Sequence, residues 1–168
     1  MVSPKDNCMF QFDLERKRVK EYLDATVNEA VATFLLPLSG VCIGGWFWSN
    51  GQILYTLCVA LMSVAFFWKS RRNLQLLDTG YPASEKNFTN CQRVAVLHCW
   101  KTVSSLNMVR LEFETSASSG SWGELITIIF TPEGIKINSR PSPYKRYSIA
   151  SFGRNRKNVQ MVLDILDY

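Results

Sequence analysis

The hydrophobic pattern divides the chain into stretches of different period. From Ala30 to Trp68 there is no Asp, Glu, Lys, Arg or His. A bilayer core of about 30 Å takes about 20 apolar residues in a helix, and a soluble core helix rarely needs a longer uncharged run. This stretch holds one such length, Ala30 to Trp48, and a second that is a little short, Ile53 to Trp68, joined by a polar turn at residues 49–52 in which Asn50-Gly51 is the turn signal. A turn this short makes the two helices antiparallel. Pro37 is expected to kink the first helix, because it removes one backbone donor. Ahead of the run, the residues near Asp13 to Glu29 read as an amphipathic helix, with Phe10, Leu14, Tyr22 and Leu23 as apolar members and charges of both signs between them.

Beyond Arg72 the period shortens. Asp78-Thr79-Gly80-Tyr81-Pro82 is turn-rich, and Val94 to Cys99, Met108 to Glu114 and Leu125 to Phe130 read as strands. Val109 to Glu114 alternates strictly, as a half-buried antiparallel strand does. Thr131-Pro132-Glu133-Gly134 turns the chain back, so Leu125 to Asn138 is expected to form a hairpin. From Asn155 to Tyr168 the period lengthens again, with Val159, Val162, Leu163 and Leu166 on one helical face. The expected fold is a membrane protein: an α-helical two-pass hairpin followed by a small cytosolic α+β domain of antiparallel strands closed by a C-terminal helix. Its parts are an N-terminal segment over 1–29, the spans over 30–68 and the domain over 69–168.

Charge sets the expected orientation. Arg16, Lys17, Arg18 and Lys20 precede the spans, Lys69, Arg71 and Arg72 follow them, and the turn between carries no cation. Positive flanks stay on the cytosolic side, so both termini are expected there. On that side the sequon Asn87-Phe88-Thr89 never meets the glycosylating machinery. The five cysteines show no framework spacing, which argues for reduced thiols rather than a disulfide-stapled secreted domain.

Candidate chemistry is sparse. The single histidine, His98, lies with Cys91 and Cys99 but without a fourth ligand of suitable spacing, and on a strand His98 and Cys99 would face opposite ways. No phosphate loop, nucleophile elbow or tuned carboxylate pair occurs, and the spans carry no ionisable group of the kind transporters use. No catalytic residue, metal or cofactor is expected, and the chain is read as a non-enzyme. Two features remain. Gly40 and Gly44 form a G-x-x-x-G face that admits a close helix neighbour, with Trp46 and Trp48 at belt height. Arg140, Lys145, Arg146, Arg154, Arg156 and Lys157 occur with no acidic residue among them, interleaved with aromatics. Near a cytosolic leaflet each such cation contributes about 1 kcal/mol toward anionic lipid; nucleic acid is not the expected partner of a membrane-fixed chain. Ser142-Pro143 and Arg146-Tyr147-Ser148 are phosphate-acceptor patterns that would cancel this charge.

The lead-in Leu14-Glu15-Arg16-Lys17-Arg18-Val19-Lys20-Glu21-Tyr22, then Val41-Cys42 leading to Gly45-Trp46-Phe47-Trp48, then Phe66-Phe67 with basic residues, and later Thr102-Val103 leading to Asn107-Met108, follow one another in order. This order resembles the regulatory subunit of the nuclear envelope phosphatase, the membrane partner of the lipin-activating phosphatase. The likeness spans Leu14 to Met108, and the chain departs from it beyond that point. It implies a two-pass protein of the endoplasmic reticulum and nuclear membrane, a non-catalytic regulatory subunit that binds and stabilises a phosphatase catalytic subunit and thereby restrains lipid synthesis. Gly40, Gly44, Trp46, Trp48, Asn107, Met108, Val109 and Leu111 are the expected partner-binding residues, the last two on a strand able to extend a partner's sheet. The alternative is a membrane-tethered, pleckstrin-homology-like module that binds lipid headgroups or scaffolds a complex.

Overall fold

The computed structural model describes residues 22–117, 121–145 and 153–166. The described chain divides after Gln75 into a helical unit and an α/β unit.

In the helical unit, α1 runs Val27–Ser49 and α2 runs Ile53–Asn73. α1 starts at a capping box: the Glu29 amide donates to Thr26 Oγ1 at 3.3 Å, and the Thr26 amide donates to Glu29 Oε2 at 2.9 Å. This corrects the expected amphipathic helix through Glu29. Leu23 to Thr26 are not helical and Glu29 belongs to the first turn of α1, because Thr26-x-x-Glu29 is itself a helix-start signal; residues 13–21 lie outside the described residues. α1 stops in a Schellman turn. Gly51, at φ +72°, lets its own amide donate to Trp48 O and the Gln52 amide donate to Phe47 O. α2 continues past Trp68 to Asn73, since Lys69, Arg71 and Arg72 are good helix formers and the two arginines favour the negative end of the helix.

The two helices pack through small residues. A Cβ on Gly40 would sit 2.0 Å from Ser63 Oγ, so only glycine admits that side chain without a shift. Thr56 Oγ1 donates to Gly44 O at 3.2 Å, and Phe47 stacks on Tyr55 with centroids 5.4 Å apart. The outward side chains of both helices are large, apolar and exposed, among them Phe34, Leu38, Leu54, Leu61, Met62 and Trp68. Both helices are long and apolar enough to cross a membrane.

The α/β unit is an open antiparallel sheet with two helices on one face. Its elements are β1 (Leu77–Asp78), α3 (Glu85–Leu97), β2 (Lys101–Leu106), β3 (Arg110–Glu114), β4 (Glu124–Thr131), β5 (Gly134–Pro141) and α4 (Arg154–Leu166). The strand order is β1-β5-β4-β3-β2. α3 therefore carries the chain from one edge to the other, and a meander of four strands brings it back beside β1. Alternation places Leu111, Phe113, Ile126, Ile128, Phe130, Ile135 and Ile137 on the helix-covered face. There they pack with Phe88, Cys91, Val94 and Ala95 of α3 and with Val162 and Leu166 of α4. The registers Phe113↔Ile126 and Ile128↔Ile137 align these rows.

The expected strand Val94 to Cys99 is instead the last turn of α3 and its exit. Phe88, Cys91, Val94 and Ala95 recur at helical spacing toward the core, and Ser84 caps the helix by accepting from the Asn87 amide at 3.3 Å. A short apolar run does not separate strand from helix by periodicity alone. Strands over 110–114 and 124–141 and the C-terminal helix lie close to where the pattern placed them, whereas β1, α3 and β2 do not follow from it.

Candidate functional site

The expected partner-binding residues fall into three groups. Gly40 and Gly44 face α2, so the small-residue face is used within the hairpin; Gly45, beside them, has no atom within 4 Å of a built Cβ. Trp46 and Trp48 are exposed near the turn. An apolar groove of about 700 Å³ follows the helix pair, lined by Pro37, Gly44, Gly45, Trp48, Ala60 and Phe67 among others.

The second group lies in the α/β unit, where Asn107 is exposed, Met108 half-buried, and Val109 and Leu111 turned inward. Asn107 and Met108 sit in the β2–β3 turn, with Met108 at φ +55°, and Val109 and Leu111 are buried, Leu111 in the core. β3 is an interior strand, paired to β2 on one side and β4 on the other, which corrects the expectation that Val109 to Glu114 extends a partner's sheet. The longer of the sheet's two edge strands is β2, opposite the two-residue β1. It is mostly exposed, shows Val103 and Leu106 to solvent, and carries a register shift between Thr102 and Ser104. Its start at Lys101 and its shift are devices that keep an edge from pairing indiscriminately. Sequence reading missed β2 because Ser104-Ser105 dilutes a weak β-branched signal at Thr102-Val103.

The third group, the basic stretch, separates into unlike members. Arg140 is 2% exposed and its guanidinium donates to Thr127 Oγ1 and Asn138 Oδ1, both at 3.4 Å, so it is no surface cation. Lys145 donates to Thr115 O at 3.0 Å and lies 3.6 Å from Glu114 Oε2. Arg146 lies outside the described residues. Arg154 is half-buried, whereas Arg156 and Lys157 are exposed; all three stand in the first turn of α4, where no acidic residue offsets them. A helix N-terminus disfavours cations, so this turn gains from an approaching anion.

Around Lys145 lies a polar knot. Ser142 Oγ donates to Glu114 Oε1, so one carboxylate holds both Ser142 and Lys145. The Ser142 amide donates to Gly123 O at 3.0 Å. Next to it, buried Glu124 accepts from Thr115 Oγ1 at 2.6 Å and from Ser121 Oγ. Gly123, at φ +115°, makes the approach feasible: a Cβ there would lie 2.6 Å from Thr115 O and 2.7 Å from Lys145 Nζ.

His98 is the C-cap of α3 rather than a strand residue and stacks on Trp100 at 5.5 Å. Among the described residues no three His, Cys, Asp or Glu side chains come together as a metal site. Cys91 is in the core, where burial pushes its thiol up to about 12. Cys42, Cys58, Cys91 and Cys99 are free thiols. Asn87 of the sequon is buried and its Nδ2 donates to Pro82 O at 2.9 Å, so in this fold it has a structural role. No family model matches the chain, and no curated protein and no solved structure matches it.

Proposed function

We propose that the chain is a non-catalytic membrane subunit. Its hairpin crosses a bilayer twice with both termini cytosolic, and its α/β unit grips a protein partner there. The observation that carries this reading is a pair of long helices whose large apolar side chains are exposed, followed within three residues of Asn73 by a folded unit with a bare strand edge. Water does not favour such a helix pair; lipid does. The quoted resemblance supports a membrane-associated phosphatase that controls lipid synthesis as the partner, at the endoplasmic reticulum and nuclear membrane. The edge β2 suits such a role, since main-chain pairing gives affinity and Val103 and Leu106 add side-chain selectivity.

The test is recovery of the phosphatase with the tagged full chain from mild detergent. Val103→Glu with Leu106→Glu lowers recovery at least tenfold in this reading, because each adds an unpaired charge to an apolar contact. Undiminished recovery contradicts it. The second reading, attachment to anionic headgroups, rests among the described residues on Arg154, Arg156 and Lys157, since Arg140 is buried and Lys145 is bound to Glu114. Replacing those three with Ser leaves phosphatase recovery intact in the first reading and abolishes salt-sensitive binding to anionic vesicles in the second.

A further inference from the structure

The turn Ser142–Lys145 is fastened from both ends to one carboxylate. Ser142 Oγ donates to Glu114 Oε1, and Lys145 Nζ lies 3.6 Å from Glu114 Oε2 and donates to Thr115 O. The Tyr144 and Lys145 amides close the turn onto Ser142 Oγ and Ser142 O, and the Ser142 amide ties it to Gly123 O. Ser142 is 2% exposed while its neighbour Tyr144 is 62% exposed, so a hidden hydroxyl sits in a turn that otherwise meets solvent. The same serine precedes Pro143 and stands three residues before Lys145, a pattern that proline-directed serine kinases accept.

We propose that Ser142 is a phosphorylation site and that the Ser142–Lys145 turn is a latch which the phosphate holds open. The proposal rests on the cytosolic orientation above only in that ATP is on that side. When the turn detaches from Glu114, Ser142 Oγ attacks the γ-phosphorus of ATP. An O–P bond forms, the bond to the β-phosphate oxygen breaks, ADP leaves, and the hydroxyl proton passes to the kinase's catalytic carboxylate. The product carries a charge of about −1.5 to −2. In the closed turn that charge would stand against the Glu114 carboxylate, which already occupies Lys145, and repulsion keeps the turn from closing. The modification also removes charge from the stretch between Arg140 and Lys157, so the same event that frees the turn weakens its attraction for anions.

Full-length protein in nanodiscs is incubated with a proline-directed kinase and ATP, which makes the outcome independent of membrane orientation and of any phosphatase partner. One phosphate is expected on Ser142 by peptide mass spectrometry, and none in Ser142→Ala. Glu114→Ala raises the initial rate about tenfold, because a charged hydrogen bond no longer holds the closed turn; Glu114→Gln, which keeps an acceptor and the fold, gives a smaller rise. Hydrogen exchange of the phosphoprotein shows the Ser142 amide losing protection while Ile126 and Ile128 keep theirs. An unmodified Ser142 in the wild-type chain overturns the proposal, whether or not the Glu114 variants are modified. So does a phosphorylated chain whose Ser142 amide stays protected.

Discussion

At the scale of single residues, the structure separates positions that look alike in the sequence. Gly40 and Gly45 both belong to the small-residue run of α1, yet a methyl group at 40 meets Ser63 Oγ at 2.0 Å and one at 45 meets nothing. Ser63 Oγ donates to Val59 O at 2.9 Å and is able to rotate away only by giving that bond up. Gly40→Ala is therefore expected to destabilise the hairpin by about 1 kcal/mol, with Ser63→Ala restoring much of the loss and Gly45→Ala neutral; thermal melting in detergent reads the series. The buried thiol of Cys91 gives a second expectation. Its acidity is lowered in the folded chain, to a value of about 12 against an ordinary 9.0, so the unfolded chain releases that proton first. The α/β unit loses stability as pH rises from about 9 toward 12, and Cys91→Ala flattens that part of the pH profile in denaturant titrations. The basic stretch is the instructive error at this scale. Arg140 and Lys145 look free because Thr127 and Glu114, which accept from or pair with them, are supplied by other strands; only Asn138, a second acceptor for Arg140, is near in sequence.

At the scale of elements, what was legible is what repeats. β3, β4, β5 and α4 show their period directly in Leu111 and Phe113, in Ile126, Ile128 and Phe130, in Ile135 and Ile137, and in Val162 and Leu166. α3 was not legible as a helix, because its apolar residues crowd toward Val94, Ala95, Val96 and Leu97 while Phe88 and Cys91 lie among polar neighbours. Its cap was the usable signal. Ser84→Ala removes an acceptor for the Asn87 amide and is expected to cost about 1 kcal/mol, measured by chemical denaturation. Which strand lies at an edge was beyond reach altogether: alternation reports which face is buried, whereas edge position follows from the order β1-β5-β4-β3-β2. The turn over Gly123 is a further element-scale test. Its φ of +115° and the 2.6 Å approach to Thr115 O leave no room for a side chain, so Gly123→Ala should lower the stability of the α/β unit by about 2 kcal/mol.

At the scale of the whole molecule, the proposed function places the hairpin in a bilayer and the α/β unit in the cytosol. The two long helices of the hairpin were legible because a charge-free apolar stretch of that length, broken by Asn50-Gly51, matches two helices and a turn. The proposed orientation rests on cations outside the hairpin, and an unmodified Asn87 does not test it by itself, although a sugar there contradicts it. Cysteine accessibility does test it. Cys99 is exposed in the α/β unit, Cys91 is buried, and Cys42 and Cys58 lie on α1 and α2. With Cys8 replaced by Ser, sealed microsomes carrying the chain are treated with a membrane-impermeant maleimide, before and after detergent. Cys99 labelled fully in the sealed vesicles, with Cys42 and Cys58 silent until detergent is added and the chain retained through alkaline extraction, is the result this account predicts. Cys99 labelled only after permeabilisation, or a chain released by alkaline extraction, contradicts it.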